Sequence, residues 1–196
     1  PEQLAALKFC WPFWARPDER APGALEGFGQ TAPPPPWTWW ANIGGRSSGK
    51  TRAAAEWVNA EARRLGRGCI FHFLGATIED ARATMVEGIS GVLAIAPPGT
   101  FATEAWRPSV MGGTLHWKSG ARARCFGADK AAKGRGPACN RFWIDDPAAF
   151  GPHGQEVLEQ LLFGFRERAP DGSPPRGVIS STPIDSDILR WILSGA

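Results

Sequence analysis

The chain has 196 residues, 43% of them hydrophobic, and a formal net charge of +3 at pH 7. This size and composition predict one globular domain with a buried core, and so small a charge does not by itself indicate a nucleic-acid partner. No run of about 18 apolar residues is present, which excludes a membrane span. The N-terminus lacks the basic and apolar regions of a secretion signal, so the scattered cysteines are expected to be reduced and mostly buried.

The first segment, residues 1–36, has little hydrophobic periodicity. It ends in Pro33–Pro36, a run that favours an extended polyproline conformation. A domain boundary is therefore predicted near residue 37, with a lead-in segment over residues 1–36 and one domain over residues 37–196.

A phosphate-loop motif follows this boundary. Residues 44–51 fit G-x-x-x-x-G-K-[ST], with a β-prone aromatic stretch before them and a run of helix formers after them. In such a loop the backbone N–H groups surround phosphate oxygens, Lys50 contacts the β- and γ-phosphates, and Thr51 offers its hydroxyl to Mg²⁺. A chance glycine-rich turn before a helix is the alternative. The predicted nucleotide-binding residues are Gly44, Gly45, Arg46, Ser47, Ser48, Gly49, Lys50 and Thr51.

The next elements alternate between strand and helix. Residues 68–75 form a nearly continuous apolar run, which is typical of a buried parallel strand. Thr77 is a plausible N-cap for a helix over residues 78–87, with Asp80 at the capping-box position. A second helical piece is predicted over residues 89–95.

Two β-prone pieces around Lys118-Ser119-Gly120 predict a hairpin over residues 113–126. The hairpin and the loop after it are basic, which suits a surface facing phosphates. A solvated polar hairpin explains the same pattern, so both interpretations stay open. The basic residues are Lys118, Arg122, Arg124, Lys130, Lys133 and Arg135, against Asp129 as the one acidic residue among them.

Residues 140–146 combine bulky apolar side chains with two terminal carboxylates, the pattern of a Walker B strand. Asp145 is predicted to order the Mg²⁺ shell, and Asp146 to orient or deprotonate the attacking water. The alternative is that two exposed acids simply end a strand. Pro147 is expected to restrain Asp146 to extended geometry.

A helix over residues 154–166, a strand over residues 176–182 and a helix over residues 187–193, capped by Asp185 or Ser186, complete the chain. The alternation predicts an α/β fold of the P-loop NTPase class. Its sheet is mostly parallel, covered by helices on both faces, with an inserted β-hairpin near residues 113–126. Nucleotide is expected at the C-terminal ends of the strands.

Several further runs combine with these motifs into a family resemblance, which extends from about Trp14 to Leu193. The chain resembles the ATPase domain of the large terminase subunit, the DNA-packaging motor of tailed phages and gene transfer agents. The runs that carry the resemblance are Gly44–Val58, Gly75-Ala76-Thr77 with Asp80-Ala81-Arg82, Met85–Gly91, Arg135-Gly136-Pro137, Phe163–Arg166 and Ser181-Thr182-Pro183.

The resemblance implies roles for individual residues. Gln30 would contribute to the adenine pocket, although the spacing from it to the loop is stretched here. Arg46 and Arg135 are the candidates for the arginine that neutralises transition-state charge, and Arg135 is preferred as a residue acting on the neighbouring subunit. Ser181 and Thr182 would sense the γ-phosphate and couple its loss to DNA movement.

The resemblance also implies ATP and Mg²⁺ as cofactors and double-stranded DNA as the partner. It further implies a portal protein, a small terminase subunit and a homo-oligomeric ring on the procapsid. The expected location is the cytoplasm of the infected or producing bacterial host, with no membrane partner.

Two departures from the family pattern weaken these expectations. The family has Asp-Glu at the end of the Walker B strand, and this chain has Asp145-Asp146, whose second carboxylate is one methylene shorter. The C-terminal nuclease domain of the family is absent from the 196 residues, so no nuclease activity is expected. A degenerate or truncated terminase that binds ATP–Mg²⁺ but hydrolyses it poorly is therefore the alternative. A helicase-like protein is a third interpretation. Such a protein would need a second domain, for which the 196 residues leave no room.

Overall fold

The computed structural model describes residues 36–109, 112–129, 137–152 and 154–194. A seven-stranded sheet forms its centre, in the order β1-β7-β6-β2-β5-β4-β3. Among the described residues, no helix has the length and apolar character that crossing a membrane requires. The strands are β1 (Trp39–Ile43), β2 (Ile70–Gly75), β3 (Phe101–Arg107), β4 (Thr114–Trp117), β5 (Arg122–Gly127), β6 (Arg141–Asp145) and β7 (Arg176–Ser181).

One long helix follows β1, and the other helices are shorter. The helices are α1 (Lys50–Leu65), α2 (Ile78–Asp80), α3 (Val92–Ile95), α4 (Gly154–Phe163) and α5 (Asp187–Leu193). A π-helical turn over Ala81–Val86 continues α2, and a 3₁₀ turn over Pro147–Ala149 follows β6.

The sheet is mostly parallel, as predicted. Strands β1, β7, β6, β2 and β5 pair in parallel, whereas β4 joins β5 and β3 joins β4 in antiparallel fashion. The predicted hairpin is therefore present as β4 and β5. Because β5 also pairs along its whole length with β2, the hairpin is part of the central sheet rather than an appendage to it. Strand β3 was not predicted.

Both faces of the sheet carry an apolar core. On one face, α1, the π-helical turn and α3 pack against alternate residues of the strands, including Trp40, Trp143 and Val178. On the other face, α4 and α5 pack against the intervening residues, including Phe142 and Ile179. The prediction of helices on both faces is confirmed, and the alternation decides which side chains share a face.

The helix ends follow local chemistry where the sequence predicted it. The Thr77 hydroxyl accepts a hydrogen bond from the Asp80 N–H at 3.0 Å, which is the predicted cap. The last helix spans Asp187–Leu193, with Ser186 at its N-cap position. The helix predicted to reach residue 166 ends at Phe163, because the chain turns at Gly164 and pairs Phe165 with Cys139.

Cys69, Cys125 and Cys139 are free and buried, as expected, and Cys10 lies outside the described residues. Burial raises the pKa of each of these three thiols to about 12, so they stay protonated at neutral pH.

His72 lies in the middle of the sheet, on β2. Its side chain is 0% exposed, and neither ring nitrogen has a hydrogen-bond partner in the described part of the chain. Burial, helped by the positive charge of Arg124, lowers the pKa of His72 to about 4. The imidazole is therefore neutral in the folded protein at physiological pH.

Acidification should destabilise the fold through His72. His72 binds a proton near pH 6.5 in the unfolded chain but only near pH 4 in the folded chain. The contribution of neutral, buried His72 to the free energy of unfolding is therefore complete above pH 6.5. It is lost as the pH falls between those values. We expect a loss of about 2 kcal/mol between pH 7.5 and pH 5. Urea unfolding of wild type and His72→Leu measures it as the difference between their pH profiles, and His116→Leu, at an exposed site, should leave the wild-type profile unchanged.

Candidate nucleotide-binding site

The phosphate-loop motif lies between the end of β1 and the start of α1. Two of its residues have positive φ, Ser47 at 61° and Gly49 at 87°, which turns the chain sharply into the helix. A Cβ atom on Gly44 would lie 2.7 Å from the Ser48 Oγ, so the start of the loop has no room for a side chain. The first N–H groups of α1 have no partners within the helix and point toward the loop. This arrangement suits an anion such as a phosphate.

Lys50 folds back over this loop. Its Nζ donates hydrogen bonds to the carbonyl oxygens of Gly44 at 2.7 Å and Gly45 at 2.8 Å. Thr51 is half-buried in the first turn of α1, and the side chain of Arg46 is exposed. Within the described part of the chain, these two backbone oxygens are the hydrogen-bond acceptors of the ammonium group.

Asp145 ends β6 at the C-terminal edge of the sheet. Its Oδ1 accepts a hydrogen bond from the Ser180 hydroxyl on the neighbouring strand β7 at 2.5 Å. Burial, with a smaller effect from the charge of Asp146, raises the pKa of Asp145 to about 6, while Ser180 and the charge of Lys50 act in the opposite direction. The Asp145 carboxylate thus interacts electrostatically with Lys50. A cation beside the carboxylate would offset the cost of burying its negative charge.

Asp146 has a left-handed backbone conformation, with φ 47° and ψ 58°. The sequence prediction of extended geometry at this residue is therefore wrong. Hydrogen bonds to β7 and the residue after it override the local preference: the Asp146 N–H donates to the Ser180 carbonyl at 2.7 Å. The Asp146 Oδ1 accepts from the Thr182 N–H at 3.2 Å and from the Ser181 hydroxyl at 3.3 Å. A left-handed residue other than glycine is uncommon and often marks a functional site.

The end of β7 therefore connects the loop with the two carboxylates. The Gly44 N–H donates to the Ser181 carbonyl at 3.1 Å, which ties the first residue of the loop to the segment that holds Asp146. Ser181 and Thr182, which were predicted as coupling residues, form the hydrogen bonds that join the loop to Asp146. Ser180 was not predicted, although a serine directly after the apolar pair Val178-Ile179 is the signal that could have identified it.

Three predicted residues have less support from the geometry. Arg135 and Gln30 lie outside the described residues. Arg46 lies in the loop but is exposed. The transition-state role of the two arginines and the adenine contact of Gln30 stay predictions.

The donor atoms at the site fit a magnesium ion that shares its ligands with a phosphate. Mg²⁺ prefers oxygen ligands and is commonly held by one or two protein groups together with phosphates and water. The Thr51 hydroxyl and the Asp145 carboxylate are such groups. Among the described residues, no cluster of three or more histidine, cysteine, aspartate or glutamate side chains could hold a metal by itself.

A mostly parallel sheet with a phosphate-loop motif after β1 and a carboxylate pair after β6, separated by β7, is the architecture of P-loop NTPases. That is the class of protein that the fold and the site define. Within this class, the chain belongs to the family of the terminase large subunit, T4likevirus-type, N-terminal, which matches residues 42–182.

Solved structures of terminases are similar in fold. The large terminase from a thermophilic bacteriophage has a TM-score of 0.50 and 15% identity, over 90% of this chain and 37% of that chain. The same terminase in complex with ATP-gamma-S has a TM-score of 0.49 and 15% identity, over 74% of this chain and 32% of that chain.

The Thermus phage P74-26 large terminase ATPase domain has a TM-score of 0.47 and 19% identity, over 81% of this chain and 62% of that chain. This chain therefore spans less than two thirds of each of these proteins. No curated protein matches it.

Proposed function

We propose that this chain is the ATP-binding and ATP-hydrolysing motor domain of a phage-type large terminase, which powers the movement of double-stranded DNA into a procapsid. The observation that carries the proposal is the arrangement of Lys50, after β1, and Asp145, at the end of β6, on the two sides of β7 at one edge of the sheet. The charge of Lys50 lowers the pKa of the Asp145 carboxyl there. The chain that carries this pair belongs to a family of terminase large subunits. ATP–Mg²⁺ matches this pairing of an ammonium group for phosphates with a buried carboxylate for a cation.

Each part of the site has a defined task in this proposal. The loop and Lys50 bind the phosphates, and Thr51 and Asp145 hold Mg²⁺, which supplies charge neutralisation at the phosphates when bound. Asp146 orients the attacking water. Ser181 and Thr182, hydrogen-bonded to Asp146, couple the state of the site to the rest of the motor.

A second candidate function is a terminase domain that binds ATP–Mg²⁺ and hydrolyses it poorly. One observation favours it: the Asp146 carboxylate, already one methylene shorter than glutamate, is hydrogen-bonded to the chain at Ser181 and Thr182. A carboxylate held there lies further from a water at the γ-phosphate than a freely extended one.

Hydrolysis of ATP by the purified chain with Mg²⁺, measured over a range of protein concentrations, tests the proposal. A motor that assembles into a ring and supplies an arginine from the neighbouring subunit should show turnover that rises more than linearly with concentration. Measurable ATP binding without turnover at any concentration would favour the second candidate. Absence of ATP binding would contradict both.

A basic surface on β5 and the two strands beyond it supports DNA as the partner. In β5 and its neighbours, Arg107, His116, Arg122 and Arg124 are exposed, and the strand register places Arg107, Thr114 and Arg124 in one row. No described carboxylate forms an ion pair with these three arginines. Arginines two residues apart on one strand lie roughly 7 Å from each other, a flat array that can contact successive phosphates.

Replacing Arg122 and Arg124 together with alanine should weaken binding of double-stranded DNA by about tenfold and lower the salt dependence of the binding constant by about two units of slope. Fluorescence anisotropy with a DNA duplex between roughly 50 and 200 mM salt measures both. Arg63→Ala, at an exposed residue in the last turn of α1, is the matched control. An unchanged salt slope in the double variant would show that this basic surface is solvated and does not contact the DNA phosphates.

The portal protein, the small terminase subunit and further copies of this chain in a ring are the other partners that we propose for this motor.

A further inference from the structure

The side chain of Asn42 is a buried amide whose nitrogen lacks a hydrogen-bond partner in the described part of the chain. Asn42 lies on β1, two residues before the phosphate loop, and is 6% exposed. Its Nδ2 has no partner among the described residues. An unsatisfied buried donor is unfavourable for folding, so its presence calls for an explanation.

The strand register places Asn42 in one row with two residues of the nucleotide site. Asn42 pairs with Ser180 on β7, and Ser180 pairs with Asp145 on β6. Trp40, Val178 and Trp143, two residues earlier on each strand, all belong to the core beneath α1. Because side chains alternate along a strand, Asn42, Ser180 and Asp145 share that same face, with about 4.8 Å between neighbouring strands.

Ser180 has room for one more hydrogen bond. A hydroxyl provides one donor and two acceptor lone pairs. The Trp143 Nε1 donates to the Ser180 Oγ at 2.8 Å, and the hydroxyl donates to the Asp145 Oδ1 at 2.5 Å. One lone pair of the Ser180 hydroxyl is left, and Ser180 neighbours Asn42, whose amide nitrogen is unpartnered among the described residues.

We propose that Asn42 is a positioning residue for the Mg²⁺-bound nucleotide. Its amide donates to the Ser180 Oγ when the loop closes on phosphates, and so completes a row of hydrogen bonds from Asn42 through Ser180 to Asp145. A hydroxyl that accepts two hydrogen bonds is a stronger donor, so the row fixes one oxygen of Asp145 and leaves the other for the metal shell. This inference rests on the proposed function.

The path from the loop to Asn42 is short. Asn42 is separated from Gly44 by one residue, and the Gly44 N–H is anchored on the carbonyl of Ser181, which directly follows Ser180. The loop is therefore linked to Asn42 along the chain and to Ser180 through this hydrogen bond, with one intervening residue in each case. The occupancy of the loop and the orientation of Asp145 are linked through the first strand as well as through the end of β7.

Two variants whose new side chains have nearly the same shape test the inference. Asn42→Thr keeps a donor, whereas Asn42→Val has nearly the same volume and no donor, and both are β-branched residues that suit a strand. Binding of a fluorescent ATP analogue is measured for each with Mg²⁺ and with a chelator. We expect Asn42→Val to bind about tenfold more weakly than Asn42→Thr with Mg²⁺, and equally without it.

Three outcomes would overturn the inference: equal affinities of the two variants with Mg²⁺, an equal difference with and without Mg²⁺, or the same tenfold difference in a Ser180→Ala background. The last of these tests whether the effect passes through Ser180, in which case the background should abolish it. Urea unfolding of both variants separates a loss of positioning from a loss of folding. If wild type itself binds no nucleotide, the proposed function fails. If wild type binds and the variants do not differ, this inference alone fails.

Discussion

Replacing Lys50 with alanine is expected to weaken ATP–Mg²⁺ binding about a hundredfold, because a charge-assisted hydrogen bond from an ammonium group to phosphate oxygens is lost. Hydrolysis should fall below detection, since the same charge counteracts the charge that develops on the transferred phosphoryl group. Isothermal titration calorimetry measures the affinity, and a phosphate-release assay measures the turnover.

The fold should tolerate this change. Among the described residues, Lys50 donates only to the carbonyls of Gly44 and Gly45, and Gly45 is exposed, so water can replace the lost donor there. Lys118→Ala is the matched control, because Lys118 is an exposed lysine on the turn between β4 and β5. ATP binding of Lys50→Ala at the strength of the control would mean that the loop does not hold the phosphates.

The sequence predicted those parts of the site that local chemistry determines. The loop motif, the helix after it and the Asp145 strand end follow from residue spacing and from the apolar pattern, and the structure places them along one sheet edge. The Thr77 cap and the glycine turn at Lys118–Gly120 are likewise local.

The parts that failed depend on contacts between distant residues. Asp146 is left-handed because β7 holds both its N–H and its carboxylate, a constraint that the Pro147 rule alone does not contain. Strand β3 lacks a clear alternation and exists through pairing with β4. Ser180 and Asn42 became candidates only once the register placed them beside Asp145.

The hydrogen-bond partners of buried polar groups were also not predicted from the sequence. Arg141, at the first position of β6, is 0% exposed and forms an ion pair with Glu61 of α1 at 2.7 Å, while Ser173 and backbone carbonyls accept its other hydrogens. Nothing in the sequence near Arg141 indicates this partner, which is 80 residues away. The network lies at the opposite end of β6 from Asp145, which separates it from the nucleotide site.

Asp146→Glu is expected to raise the turnover of ATP about a hundredfold, because a misplacement near 1 Å of a catalytic group costs about that factor and the added methylene extends the carboxylate by about 1.5 Å. In the wild-type chain, hydrogen bonds from Thr182 and Ser181 hold the carboxylate against the end of β7. The longer side chain can approach the water while leaving the backbone bond from Asp146 to Ser180 in place. ATP affinity should stay within about twofold, since the water contact matters chiefly in the transition state.

The gain should come with a cost in stability of about 1 kcal/mol, because glutamate is less favourable than aspartate in the left-handed conformation that Asp146 adopts. Single-turnover hydrolysis, ATP affinity and urea unfolding measured on one preparation separate the three effects. Asp146→Asn is the matched control: it keeps the shape without the negative charge, and its turnover should fall to that of Lys50→Ala. Equal turnover of Asp146→Glu and wild type would show that the shorter carboxylate already reaches the water. The hydrogen bonds to Ser181 and Thr182 would then belong to the working cycle of the motor rather than to a weakened site.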